Sequence, residues 1–129
     1  MSLSITPLYA GLLTLLFIAL CVLVIRERFR VRTSVGDGGH KDLTRRMRVQ
    51  ANFAEYVPLA LLLMLCAELQ GAPALAIHAM GATLLIGRLC HAVGMSLSPQ
   101  VFPLRQAGMV LTFLMMAVSA VTIIGHIII

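Results

Sequence analysis

Leu3-Ser4-Ile5-Thr6-Pro7-Leu8-Tyr9-Ala10-Gly11-Leu12-Leu13-Thr14-Leu15-Leu16-Phe17-Ile18-Ala19-Leu20-Cys21-Val22-Leu23-Val24-Ile25 runs without a charged side chain, then breaks into Arg26-Glu27-Arg28-Phe29-Arg30-Val31-Arg32. As a helix the apolar run is about 34 Å long, enough to cross a hydrocarbon layer of roughly 30 Å. Pro7 falls in the first turns, where a missing N–H does little harm. The positive charges follow the apolar run rather than precede it, the reverse of a cleaved leader, so this segment reads as a retained membrane helix.

Three more apolar segments follow. The spans expected are 3–25, 47–69, 74–94 and 104–127. The second stops at Gln70-Gly71-Ala72-Pro73, a turn made of breakers, and the third leads into a short loop with Pro99 and Pro103. The chain has 129 residues, 60% of them hydrophobic and only 12% charged, against about 25% charged in soluble domains. The expectation is a single domain over 1–129, an all-α membrane protein built as a four-helix bundle. Gly36-Asp37-Gly38-Gly39, in the polar stretch after the first span, lacks the Gly-Lys-Ser/Thr ending of a phosphate loop and reads as a flexible turn.

Charge sets the topology. The net charge is +5, and eight of the ten Lys and Arg residues lie from Arg26 to Arg48. The other two, Arg88 and Arg105, flank the third loop on the same side. The positive-inside rule puts both basic loops in the cytoplasm and both termini outside. Because these charges flank apolar spans, nucleic acid is not an expected partner and membrane lipid is. Cys21, Cys66 and Cys90 all sit inside apolar segments without paired spacing, which suits packing and argues against disulfides. Cys90 and His91 are neighbours that point to different helix faces, and His40, His78 and His126 stand apart, so no metal site is expected. Glu68 sits at a helix end where it can reach water.

Polar residues inside the apolar spans are the informative ones. Arg48, Asn52, Glu55 and Tyr56 share one face of the second helix. Glu55 lies about 10 Å along the axis from Arg48, within the hydrocarbon zone. Arg88 and His91 occupy the third helix, Arg88 about 9 Å before the basic-side end near Gly94. An ionisable group at that depth faces a partner or a wet cavity. The plainer reading is a Glu55–Arg88 ion pair that locks antiparallel helices, with Asn52 and Tyr56 as hydrogen-bonding glue. The functional reading adds Arg26, Arg30 and Arg105 to enclose a mainly cationic cavity with one carboxylate. Such a site suits a small zwitterionic peptide.

Arg48-Val49-Gln50-Ala51-Asn52-Phe53-Ala54-Glu55-Tyr56-Val57-Pro58 resembles the signature of the MAPEG family, the membrane-associated proteins in eicosanoid and glutathione metabolism. Val35-Gly36-Asp37-Gly38-Gly39 resembles the bacterial branch, which implies an inner-membrane location. The resemblance implies a homotrimer of four-helix bundles with glutathione as cosubstrate, held between neighbouring subunits at the cytoplasmic end. By position, Arg48, Asn52, Glu55 and Tyr56 would hold the tripeptide, with Gln50 a further contact. Arg26 and Arg30 match basic residues that end the first helix in the family. Arg88 and His91 resemble an Arg-x-x-His pair of a prostaglandin-forming member. Arg105, in Pro103-Leu104-Arg105, matches an arginine assigned to activating the thiol, and is the expected catalytic residue. One departure is Met95, where many eukaryotic members carry a tyrosine. The only tyrosines here are Tyr9 and Tyr56, so a mechanism using a third-helix phenol is ruled out.

Three functions follow in order of support. The first is a glutathione-dependent transferase or peroxidase acting on a lipophilic small molecule. The second is a lipid-binding or scaffold protein that keeps the fold without turnover. The third is a small proton-coupled exporter using Glu55, disfavoured because the first helix has no acidic residue before Glu27.

Overall fold

The computed structural model describes residues 2–129 and contains four α-helices. They are α1 (Ile5–Val31), α2 (Lys41–Leu69), α3 (Ala74–Ser96) and α4 (Phe102–Ile128). Each is long and apolar enough to cross a membrane. The fold is an all-α membrane bundle.

Apolar length does not limit these helices. α1 continues through the basic run to Val31, and α2 starts at Lys41, ahead of the apolar segment. Residues 26–31 contain no breaker, and cations in the last turn of a helix oppose its negative end. Ion pairs one turn apart support both extensions: Arg30–Glu27 at 2.6 Å and Arg45–Asp42 at 3.2 Å. α1 ends where Arg32 turns left-handed, at φ 53°. In the connecting loop, Asp37 accepts hydrogen bonds from the Thr44 hydroxyl (2.6 Å) and the Gly39 N–H (3.0 Å). Thr44 first, then Gly39, holds the Asp37 carboxyl below its ordinary range.

Consecutive helices pack against each other, α2 also meets α4, and α1 meets α3. Among the described residues α1 and α4 do not touch, so they form opposite flanks of the bundle. The core holds Leu13, Leu20, Val49, Phe53, Val57, Ala60, Met64, Ile77, Leu84 and Met115. Phe17 stacks on Phe53 with ring centroids 5.3 Å apart. Leu15, Val110, Val121 and many similar side chains point outward, as a lipid-facing surface requires.

α3 and α4 approach closely at glycines. A Cβ on Gly108 would lie 2.5 Å from the Gly87 carbonyl oxygen and the His91 amide nitrogen. Those are backbone atoms of α3 and cannot swing aside. Gly108→Ala is therefore expected to lower stability by about 1–3 kcal/mol or more, read as an earlier thermal transition in detergent. An unchanged transition would show that the crossing is looser than these distances.

At the end opposite the basic loops, Glu68 has a structural task. Its carboxylate accepts hydrogen bonds from the backbone N–H groups of Ser4, Ile5 and Thr6, at 3.0, 2.9 and 2.7 Å. A side chain of α2 thus caps α1, whose Ser4 makes no side-chain cap. Glu68 still reaches water at its helix end, being partly exposed, and its capping contacts are what the sequence did not reveal. Nearby, the Tyr9 hydroxyl donates to the His78 carbonyl at 3.2 Å. Its ring lies against Gly81, where any Cβ would collide with it.

Candidate functional site

α2 carries the polar residues around an arc. At 100° per residue, Glu55, Arg48, Asn52 and Tyr56 spread across about 100° in that order. Gln50 falls on the far side. This angular order decides what each side chain meets.

At one edge of the arc, Arg48 and Glu55 lie 3.6 Å apart, with about half of each side chain exposed (54% and 51%). The expected Glu55–Arg88 pair is not formed. Glu55 is turned outward, and its ion-pair partner is Arg48 on its own helix. At the other edge, Tyr56 meets Phe113 of α4 edge-on, with ring centroids 5.3 Å apart.

Asn52 lies between these edges and points to α3. Its Oδ1 accepts a short hydrogen bond from Arg88 Nη2. Arg88 is buried, with 1% of its surface exposed. Its remaining neighbours are Thr112 Oγ1 at 3.4 Å, the Met109 sulfur at 3.7 Å, His91 Nδ1 at 3.4 Å and the Phe53 ring, whose centre lies 6.0 Å from the guanidinium carbon. Arg88 Nε has no partner. Among the described residues no carboxylate lies within ion-pairing distance of this guanidinium. A charge held this deep without a counter-ion is expensive. Arg88 and His91 therefore form a layer behind Asn52 rather than a surface a ligand could touch.

Arg105 stands at the start of α4, partly exposed. It donates to Gln100 Oε1 at 3.2 Å, and its guanidinium carbon lies 5.7 Å from the centre of the Phe102 ring. Together with Gln106, Met109, Val110 and Phe113 it lines an open groove of about 480 Å³. Met109 and Phe113 join this groove to the rest, because Met109 touches Arg88 and Phe113 touches Tyr56. Tyr56, Asn52, Arg88 and Arg105 thus belong to one continuous region at the basic end of α2, α3 and α4.

Gln50, Arg26 and Arg30 lie elsewhere. Gln50 Nε2 donates to the Cys21 sulfur of α1 at 3.2 Å. Arg30 is exposed and holds Glu27, and Arg26 is exposed on the same helix. Within one chain these three do not join the Arg48–Glu55 edge. The candidate residues are therefore not gathered in one place within a single chain.

The MAPEG sequence model matches residues 6–125, nearly the whole bundle. The chain belongs to the MAPEG family. This MAPEG chain is similar to the inner membrane protein YecN of Escherichia coli K12: 38% identical over 109 residues, covering 84% of this chain and 82% of the relative. A protein of the same name from Escherichia coli O6:H1 matches to the same extent. No solved structure matches significantly.

Sequence reading missed four residues of this candidate site: Thr112, Met109, Phe113 and Gln100. The first three lie on α4, whose apolar pattern hides them. Thr112 had a signal, as a hydroxyl within an apolar span, and the structure buries it fully. Nothing in the sequence, however, says that α4 crosses α3 at Gly87 and Gly108, which sets Thr112 beside Arg88. Among the described residues no three His, Cys, Asp or Glu side chains gather as metal ligands, and the three cysteines are free.

Proposed function

We propose that this protein is a multi-pass inner-membrane enzyme, a glutathione-dependent transferase or peroxidase for lipophilic substrates, with its basic loops in the cytoplasm. The observation that carries the proposal is the half-exposed Arg48–Glu55 pair on a membrane-spanning helix. Charged groups on a lipid-facing surface are costly, so this face needs a polar cover. A second copy of the chain with a zwitterionic peptide between supplies it.

The scatter of these residues supports a head-to-tail arrangement. Arg26 and Arg30 lie on one flank of α1, Gln50 meets Cys21 on the opposite flank of that helix, and Arg48, Glu55, Tyr56 and Arg105 lie away from α1. A site using all of them has to be built between copies, each lending part of the set. A rotation that closes gives a ring, and the homotrimer of the family is such a ring. In this reading Glu55 meets the amino group of glutathione and the arginines meet its carboxylates, in the bidentate geometry guanidinium favours.

In this reading Arg105 is the residue that acts on the sulfur. A free thiol has a pKa near 8.5, and only its thiolate attacks well. A fixed guanidinium beside the sulfur favours the thiolate without taking a proton. The thiolate then forms a carbon–sulfur bond with an electrophile as its leaving group departs. With a hydroperoxide, two thiols reduce the O–O bond and end as a disulfide. The apolar groove beside Arg105, with Phe102, Val110 and Phe113, suits a substrate that arrives from lipid.

Thermal unfolding in detergent tests the binding half. At a hundredfold excess over its dissociation constant, glutathione should stabilise the fold by about 2.7 kcal/mol. Glu55→Gln and Arg48→Ala should each remove that gain. No shift at millimolar glutathione would overturn the reading and leave a lipid-binding or scaffold protein in its place.

A further inference from the structure

The C-terminal elbow of α1 carries two arginines that the glutathione site does not use. With Arg26 set at 0°, Arg30 lies at about 40° around the helix, while Arg28, Arg32, Ile25 and Phe29 lie at about 200–300°. The buried residues of α1, from Thr6 to Val24, lie between the two sets, against the bundle. Arg28 and Arg32 thus occupy the flank of α1 opposite Arg26 and Arg30.

On that flank Ile25, Arg28, Phe29, Arg32, Thr33 and Ser34 line an open cavity of about 520 Å³. Its apolar wall is Ile25 and Phe29, which are 51% and 80% exposed. The chain hooks back over it because Arg32 is left-handed and the Thr33 N–H returns to the Arg28 carbonyl at 3.1 Å. Arg28 braces the hook by donating to the carbonyls of Thr33 (3.3 Å) and Gly36 (2.8 Å).

Charge in this cavity is not neutralised by the protein. The acidic residues of the basic end are committed elsewhere: Glu27 to Arg30, Asp42 to Arg45 and Arg30, Asp37 to Thr44 and Gly39. Arg28 meets only neutral acceptors, and Arg32 makes no ion pair among the described residues. Depth matches a headgroup as well. Ile25 ends the apolar run, Arg28 lies about 4.5 Å beyond it along the helix, within a headgroup layer of roughly 5–7 Å, and Arg32 follows where the helix ends.

We propose that this elbow is a binding site for one anionic phospholipid. The phosphate lies against Arg28 and Arg32, the Thr33 and Ser34 hydroxyls face the headgroup, and an acyl chain runs down Ile25 and Phe29. A juxtamembrane cation attracts anionic lipid in general. The cavity adds a guanidinium held in place at Arg28 and a second, exposed one at Arg32 beside an apolar wall, and so a defined occupant.

The test compares retained lipids by native mass spectrometry after exchange into phosphatidylglycerol or phosphatidylcholine of the same chains. The unmodified protein should keep phosphatidylglycerol at least several-fold better. Arg32→Gln should lose that preference. Lys41→Gln, which removes the same charge at the same end but outside the cavity, should keep it. Equal retention of the two lipids overturns the proposal, as does an equal loss in both variants, which would mean diffuse attraction only. A thermal shift from soluble glycerol phosphate as large as that from phosphatidylglycerol would also overturn it, since the site would then read phosphate rather than lipid.

Discussion

Arg105→Ala is expected to slow glutathione turnover with a lipophilic aryl halide by about a hundredfold to a thousandfold, as losses of a single preorganised charge donor do. Glutathione should still bind, because Glu55 and Arg48 are untouched. The KM for glutathione should move little while kcat falls. Among the described residues Arg105 donates only to the neutral amide oxygen of Gln100, at 3.2 Å, and leans on Phe102. Its charge is therefore available to another anion.

The pH profile distinguishes a lost thiolate from a damaged fold. A guanidinium that favours the thiolate makes the reaction insensitive to pH once the bound thiol has ionised, below its solution pKa near 8.5. Without Arg105 the rate should keep rising with pH through that value, since hydroxide then does what the arginine did. Arg105→Lys should recover part of the rate, as it keeps the charge but loses the planar fork. Turnover within twofold of the unmodified protein in Arg105→Ala would remove this residue from the mechanism.

Arg88→Met carries the second large effect, and it separates stability from binding. Among the described residues Arg88 is buried without a carboxylate partner, and its Nε is unpartnered. An isolated buried charge costs several kcal/mol, and a hydrogen bond from a charged donor returns about 1.5–3 kcal/mol. Only the Asn52 bond is short; those to Thr112 and His91 are stretched to 3.4 Å. Methionine fills a similar volume without the charge, so ligand-free Arg88→Met should unfold no earlier than the unmodified protein. Its response to glutathione should nevertheless vanish, because Asn52 loses the group that orients it and the site loses a positive field. Arg88→Ala should instead lose about 2–5 kcal/mol to the cavity left behind. If Met unfolds as early as Ala, the hydrogen bonds outweigh the charge penalty. A full glutathione response in Arg88→Met would uncouple this layer from the site.

How much could be read in advance varies by residue. The four helices follow from hydropathy because a bilayer leaves few alternatives: every backbone group in hydrocarbon must be paired within its own segment. Helix ends were less legible. The apolar run at Ile25 marks where lipid ends, whereas Val31 marks where helix ends, and no rule ties the two together. Glu68 shows a similar gap. Its role as a cap depends on Ser4, Ile5 and Thr6 arriving beside it from the far end of another helix, a distance in sequence that no local pattern encodes.

For the site, sequence alone determined that Arg48, Asn52, Glu55 and Tyr56 lie on one side of α2, because that is fixed by 3.6 residues per turn. It also determined that charge concentrates at one end of the bundle. Tertiary structure alone decided how that arc is divided. Packing of α3 turns Asn52 to Arg88, while Glu55 is left outward with Arg48 and Gln50 is turned to α1. The physical reason is that helical period fixes directions around one axis, whereas a partner depends on which neighbour occupies each direction and at what distance. Here that distance is set by Gly87 and Gly108, which bring α4 close enough to place Thr112 and Met109 on a buried guanidinium.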